Sequence, residues 1–257
     1  MRSRLCAAIL LLGFAVMLTA GAIASASAAE PEAPYLKVNS KRLFSKESQA
    51  VQIKNAAETK EGGTKEVILK GNYAAGPKTV NETRCKTVTS TKSILQGSEA
   101  FHDATTEFNI ALSGCSLWVN LGEGFVLEKA CAVEVVPAQT AAGRFWYEGV
   151  SKLQGTKIAL SLEAAELATV TLKGASCKLA SKYVLGGSVA AAVSPQDQEA
   201  KAMKLTFPAT PIEIVWQPQL PSQKELELKL NGNRVVLQGE FELVLEKGLV
   251  FGAFNTP

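Results

Sequence analysis

Lys224-Glu-Leu-Glu-Leu-Lys-Leu230, then Asn231-Gly-Asn233, then Arg234-Val-Val-Leu-Gln-Gly-Glu-Phe-Glu-Leu-Val-Leu-Glu-Lys-Gly-Leu-Val-Phe-Gly-Ala-Phe254, is the stretch whose reading decides the fold. Leu226, Leu228 and Leu230 alternate with Glu225, Glu227 and Lys229, the two-residue period of a strand buried on one face. Asn231-Gly232-Asn233 interrupts that period with residues that reach positive φ at little cost, as a tight hairpin turn requires. Val235 and Leu237 resume the apolar face, Gly239 breaks it, and Phe241, Leu243 and Leu245 carry it on. Lys247-Gly248 reads as a second turn before Leu249-Val250-Phe251. A C-terminal β-meander is expected, and its Leu/Phe face needs a second layer to cover it.

Working outward, the chain has 257 residues, 47% apolar and 20% charged, enough to bury a sizeable core. Its formal charge is +3. Removing Arg2 and Arg4 with the N-terminal segment discussed next leaves 25 of the 27 Lys/Arg against 24 Asp/Glu, a balance of +1. A nearly neutral chain with interspersed signs carries no electrostatic footprint for nucleic acid or an anionic membrane.

Residues 1–29 read as a signal peptide. Arg2 and Arg4 form the positive start, residues 7–22 an apolar core, and the small residues 24–29 offer cleavage after Ala28 or Ala29. Cys6 precedes the apolar core, whereas a lipid-anchored cysteine would follow it. No membrane-spanning segment is expected after cleavage. A secreted or extracytoplasmic location follows, with cell-surface association left open.

Cleavage leaves Cys85, Cys115, Cys131 and Cys177. An even number in an exported chain reads as two structural disulfides, with three connectivities available. Cys85–Cys115 with Cys131–Cys177 is preferred, because each bridge then joins neighbouring stretches of chain. Their spacing contains no CxxC pair of the kind that builds zinc sites.

Short β-prone segments with Gly, Pro and Asn punctuation fill the rest. Strands are expected around residues 50–54, 66–70, 79–95, 105–112 and 117–121, then 124–136, 158–162, 169–172 and 203–207. Gly122-Glu-Gly124 is the turn of one hairpin, and Gly186-Gly187 marks a bulge or bend. Residues 163–168 are short enough to leave a helical turn open, and residues 137–143 are a candidate linker. No sustained helical period occurs. The expected fold is all-β: an antiparallel β-sandwich or partly open barrel ending in the meander. It is organised either as β-rich regions 30–136 and 144–257 or as one continuous sandwich.

Several short stretches, in order, carry a resemblance. They are Leu36-Lys-Val-Asn39 with Lys41-Arg-Leu43, Arg84-Cys-Lys-Thr-Val88, Gly114-Cys-Ser116, Lys204-Leu-Thr-Phe-Pro-Ala-Thr-Pro211 and Leu249-Val-Phe-Gly-Ala-Phe254. In wording and position they resemble uncharacterised secreted β-rich proteins of soil actinobacteria. The resemblance spans most of the mature chain and is weakest over residues 137–170. It implies export and a β-rich fold, and carries no activity.

Catalytic constellations are sparse. His102 is the single histidine, and its neighbour Asp103 would point to the opposite face of a strand. No G-x-S-x-G elbow accompanies it, and one histidine rules out multi-histidine zinc sites within a single chain. Glu163/Glu166 and Glu225/Glu227 are sequence neighbours, whereas glycosidase acids face each other across a cleft. Asp103 and Asp197 are the only aspartates, too few for a calcium-loaded β-module. No phosphate-binding glycine motif is present, so no cofactor is expected. The sequon Asn81-Glu-Thr83 is read as coincidental in a bacterial product. Trp118, Trp146, Tyr147 and Trp216 remain for ligand contact. Trp216 continues the Ile212/Ile214 face and is expected in the core, while Trp146 and Tyr147 are adjacent, so one of them is expected to face outward. The expected function is a non-enzymatic structural or interaction domain. A module that binds carbohydrate or cell wall through Trp146 and Tyr147 is the alternative, with a cell-wall or extracellular polymer as partner.

Overall fold

A computed structural model describes residues 34–44, 47–56, 65–73, 80–90, 93–97, 105–148, 157–210, 214–215 and 226–254. Its strands are β1 (Tyr35–Val38), β2 (Lys41–Arg42), β3 (Ser48–Asn55), β4 (Val67–Asn72), β5 (Val80–Ser90) and β6 (Ser93–Gln96). They continue with β7 (Thr105–Phe108), β8 (Ile110–Asn120), β9 (Phe125–Pro137), β10 (Ala141–Glu148), β11 (Lys157–Lys173) and β12 (Ser181–Ser194). The last are β13 (Ala202–Phe207), β14 (Ile214–Val215), β15 (Leu228–Leu230), β16 (Asn233–Leu245) and β17 (Phe251–Phe254). No α-helix occurs among the described residues, and the fold is all-β as expected. Residues 1–29, read as a signal peptide, the His102-Asp103 pair, Glu225 and Trp216 lie outside the described residues.

The 226–254 stretch forms its hairpin at the expected turn, with Leu228 opposite Val235 and Leu230 opposite Asn233. Asn231 and Gly232 both take positive φ there. Beyond the hairpin, two details differ from a simple meander. β16 runs unbroken through Gly239. The last strand leaves it by the turn Glu246–Gly248 and pairs with β1, not with β16.

Two large closed cycles of antiparallel pairing organise the main sheet, joined also by the β3–β5 pair Lys54–Thr89. A first cycle runs β4–β5–β8–β9–β11–β12–β15–β16 and returns to β4. A second runs β3–β6–β7–β10–β11–β12–β13–β16 and returns to β3. The long strands β11, β12 and β16 pass through both, so each cycle draws on both halves of the chain. Residues 31–257 form one compact unit.

Local irregularities sit where the cycles meet. β11 carries a register shift between Ala164 and Ala168, so the piece read as a possible helical turn is a strand bulge. Gly186 faces it, and a Cβ there would lie 1.9 Å from the Ala165 carbonyl oxygen. Gly187 takes φ +106 and would meet the Glu227 carbonyl at 2.1 Å. No side chain fits at either position, which is what the glycine pair accomplishes.

Each cycle has its own apolar filling. The first encloses Leu69, Leu117, Val170, Leu172, Leu185, Leu228, Leu230 and Val235 with Tyr73 and Tyr183. The second encloses Phe108, Phe145, Phe207, Phe241 and Phe251 among leucines and valines. A small sheet, β17–β1–β2, adds Leu36, Leu43 and Ala253 to that second core. It is tied on through the Ala200–Phe251 bridge and the Asp197 N–H to the Ala253 carbonyl.

Both disulfides have the preferred connectivity. Cys85 and Cys115 are directly opposite on β5 and β8. Cys131 on β9 bonds Cys177 in the β11–β12 connection. Among the described residues no helix is long and apolar enough to cross a membrane. The disulfides are compatible with an extracellular protein.

Candidate functional site

The outer face of the first cycle is built by register. With Cys85 opposite Cys115, Glu82 falls opposite Trp118 and Arg84 opposite Ser116, while Lys70 pairs with Glu82 from the other side. The Arg84 Nε and Nη2 atoms both donate to Glu82 Oε2, at 2.9 and 2.7 Å. Lys70 Nζ lies 3.3 Å from the other carboxylate oxygen. The guanidinium also stacks 4.1 Å over the Trp118 ring, and Lys70 sits 5.0 Å over Phe125. Trp118 Nε1 donates to Ser116 Oγ at 3.0 Å. The Glu82 side chain is only 6% exposed, a burial tolerable for a carboxylate because two cations and the two Arg84 hydrogen bonds satisfy it.

Beside this row the β8–β9 hairpin carries an apolar surface. Leu121 (69% exposed), Val126 (51%) and Leu127 (37%), at the tip of the hairpin, are three of the six exposed large apolar side chains among the described residues, while Val136 (48%) stands at the far end of β9, opposite Thr169 of β11. Its turn works as the sequence suggested: Gly122 and Gly124 take φ +98 and +140, and Asn120 Oδ1 accepts from the Gly122 N–H. Such a concentration on one hairpin marks a contact surface more strongly than scattered single residues would.

Further along, β8 and β9 part. Their ladder ends at Ser116 opposite Ala132. Beyond it β8 pairs only with β5, and β9 only with β11, among the described residues. The β8–β9 register already shifts between Ser116 and Trp118, and just past the last pair Gly114 takes φ +63. The neighbouring register omits Lys86, and Asn55 repairs the loss by accepting from the Val88 N–H and donating to the Lys86 carbonyl. Phe108 opposite Ala141 closes the far end of the opening. Behind it is a cavity of about 50 Å³, lined by Phe108, Ile110, Leu112, Ala141, Leu167 and Leu237 among others, with Gln139 as its polar member. Leu167 and Leu237 pack against both cores, so the cavity lies on the seam between the cycles.

Titration near these groups is set by ion pairs. The hydrogen bond from Lys173 holds the exposed Glu134 carboxyl, on the rim of the opening, below its ordinary value. On the second cycle, burial pushes Glu240 upward, but hydrogen bonds from Lys204 and Lys65 outweigh it and leave the carboxyl lowered. Burial raises the Tyr73 hydroxyl, which donates to Thr83 Oγ1 at 2.7 Å inside the first core.

The residues singled out from sequence are scattered. Trp146 and Tyr147 are in β10, their backbones opposite Ala159 and Ile158; their side chains fall outside the described residues. Glu163 and Glu166 are exposed on β11 around its bulge. Glu227 pairs with Lys229 at 2.7 Å. Asn81 of the sequon is 2% exposed, which hides its amide in the folded chain. Among the described residues no three His, Cys, Asp or Glu side chains gather as a metal site. The Arg84–Glu82–Trp118 row went unread, yet a signal existed: the preferred Cys85–Cys115 bridge, extended as an antiparallel ladder, puts Glu82 opposite Trp118.

No family model matches the chain, and neither a curated protein nor a solved structure does. Fold and surface together define a class: a disulfide-bonded, all-β domain with two strand cycles and an apolar hairpin on its outside.

Proposed function

We propose that the chain is exported, loses residues 1–28 or 1–29, and acts outside the cytoplasm as a non-enzymatic interaction domain. Its contact face is the β8–β9 hairpin with the adjoining Arg84–Trp118 row, and its partner belongs to the cell wall or to an extracellular polymer or protein. The observation that carries this reading is the concentration of exposed Leu121, Val126 and Leu127 at the tip of one hairpin. The test is retention of the labelled mature chain on intact cells and walls of its native host. Leu121→Asp with Val126→Asp is expected to lower retention about tenfold or more with little change in Tm, since charges disrupt an apolar contact centre. Equal retention by the variant overturns the reading.

Carbohydrate recognition is the second reading. One observation favours it: Trp118 and Phe125 are only partly buried, beside the guanidinium of Arg84 and the carboxylate of Glu82. An outward aromatic with polar neighbours suits a sugar ring. Trp146 and Tyr147 remain its other candidates. A glycan array that finds binding, and loses it with Trp118→Ala or with Trp146→Ala and Tyr147→Ala, supports it. A blank array, or one indifferent to these substitutions, removes it.

A further inference from the structure

We propose that the opening between β8 and β9 takes an extended strand from a partner polypeptide, which completes the first cycle's wall. This rests on the reading of the chain as an interaction domain and names how it would engage its partner. Three observations point to a polypeptide. The first is the pair of strand edges. Residues 110–113 and 133–137 each keep one side without a ladder partner among the described residues. A backbone laid between them can exchange hydrogen bonds with both, which an alkyl chain cannot do. The first edge also lacks the usual protection: Ile110-Ala-Leu-Ser113 contains no charged residue and no proline, whereas the second, Val133-Glu-Val-Val136, carries Glu134 and ends at Pro137.

The second observation is the size of the space behind the edges. A cavity of about 50 Å³ is a third of the ~150 Å³ that holds benzene in an engineered apolar cavity. It suits the end of one aliphatic side chain rather than a whole small molecule. A strand sends alternate side chains to one face, so one of them would enter between Leu112, Ala141 and Leu237 while its neighbours faced out.

The third is charge. At the Ser116/Ala132 end stand the exposed Lys86, Lys129 and Lys173, with Glu134 paired to Lys173. At the Phe108/Ala141 end stand the exposed Glu107, Glu163 and Glu166, with Arg144 nearby. The opening is therefore basic at one end and acidic at the other. A fitting strand carries acidic residues toward the lysines and basic residues toward the glutamates, and this sets its direction.

The probe is a library of synthetic peptides of about eight residues, a typical strand length, with Val, Ile or Leu at alternate positions, screened against the full mature chain. The expected result is a selected family with opposite charges at its two ends. Its binding slows amide exchange at residues 110–113 and 133–136. N-methylation of alternate peptide nitrogens is expected to weaken binding about tenfold or more by deleting ladder hydrogen bonds. Ala141→Leu, which fills the cavity, is expected to do the same by excluding the side chain. The N-methyl series leaves the protein untouched, so it decides even where Ala141→Leu disturbs folding. The proposal is overturned by a library without binders, by binding indifferent to N-methylation, or by displacement with a dodecyl chain alone. It is equally overturned when the same amides become protected in the isolated chain as its concentration rises, since the occupant is then a second copy. Cell retention that persists without peptide binding sinks only the strand insertion. Loss of both sinks the interaction reading as well.

Discussion

The first cycle encloses aliphatic side chains, two tyrosines in edge-to-face contact and the Cys131–Cys177 bridge, whereas the second encloses five phenylalanines and no cysteine. The same three strands run through both. A phenylalanine removes a large apolar area from water, so the second cycle is held by burial and packing. The first has a thinner filling, and covalent closures add to it: Cys85–Cys115 on its wall and Cys131–Cys177 at its end. The two fillings meet at a seam lined by Leu167 and Leu237, beside which β8 and β9 carry no ladder among the described residues.

The largest expected effect comes from breaking the aromatic side of the contrast. Phe241 is 1% exposed and packs 5.0 Å from Phe207. Phe241→Ala is expected to cost about 3–5 kcal/mol, read by urea denaturation. Next comes the covalent side. Cys131→Ala with Cys177→Ala is expected to cost about 2–4 kcal/mol by freeing a long loop in the unfolded chain. Amide exchange should then rise in β9 and the second half of β11 before it rises in β3, β6 or β10. A uniform rise would mean that the cycles do not differ in how they are held.

A smaller effect is expected from Glu82→Gln. It leaves Arg84 and Lys70 without their carboxylate, but both are partly exposed and can rehydrate. The cost should be about 1–3 kcal/mol, read as a lowered Tm with the hairpin's apolar surface intact. The smallest effect is a pH limb. Glu240 is lowered in the folded chain, so its contribution is present above the ordinary carboxyl value of 4.5 and is lost as pH falls below it. Glu240→Gln should flatten that part of the acid limb and change little at pH 7.

Much of this was legible in the chain, and the particulars show why. The 228–245 hairpin was readable because Asn231 and Gly232 supply the positive φ its turn needs. The disulfide pairing was readable because antiparallel neighbours bring Cys85 to Cys115. The double closure was not, since it depends on strands that continue through features resembling stops. Gly239 reads as a break, Gly186-Gly187 as a bend and residues 163–168 as a turn, yet β16, β12 and β11 pass through all three. Tertiary pairing on both edges outweighs the local cost of glycine in a strand. The candidate surface was half legible. Trp118 was flagged for its residue type, but the Arg84 guanidinium that covers its ring belongs to a strand distant in sequence. The opening between β8 and β9 left no sequence mark beyond Gly114, because a missing ladder is a property of two strands and not of either alone.

Amide hydrogen exchange on the disulfide-intact chain tests the central claim most directly. The account predicts that about half of the amides in residues 110–113 and 133–136 exchange near their unprotected rates, because each strand there has one edge without a ladder partner among the described residues. Amides in residues 168–172, paired with β9 on one side and β12 on the other, should be slow in the same experiment. Uniformly slow exchange across both sets would contradict it: the wall would be closed, and the chain would offer no place for a partner's strand.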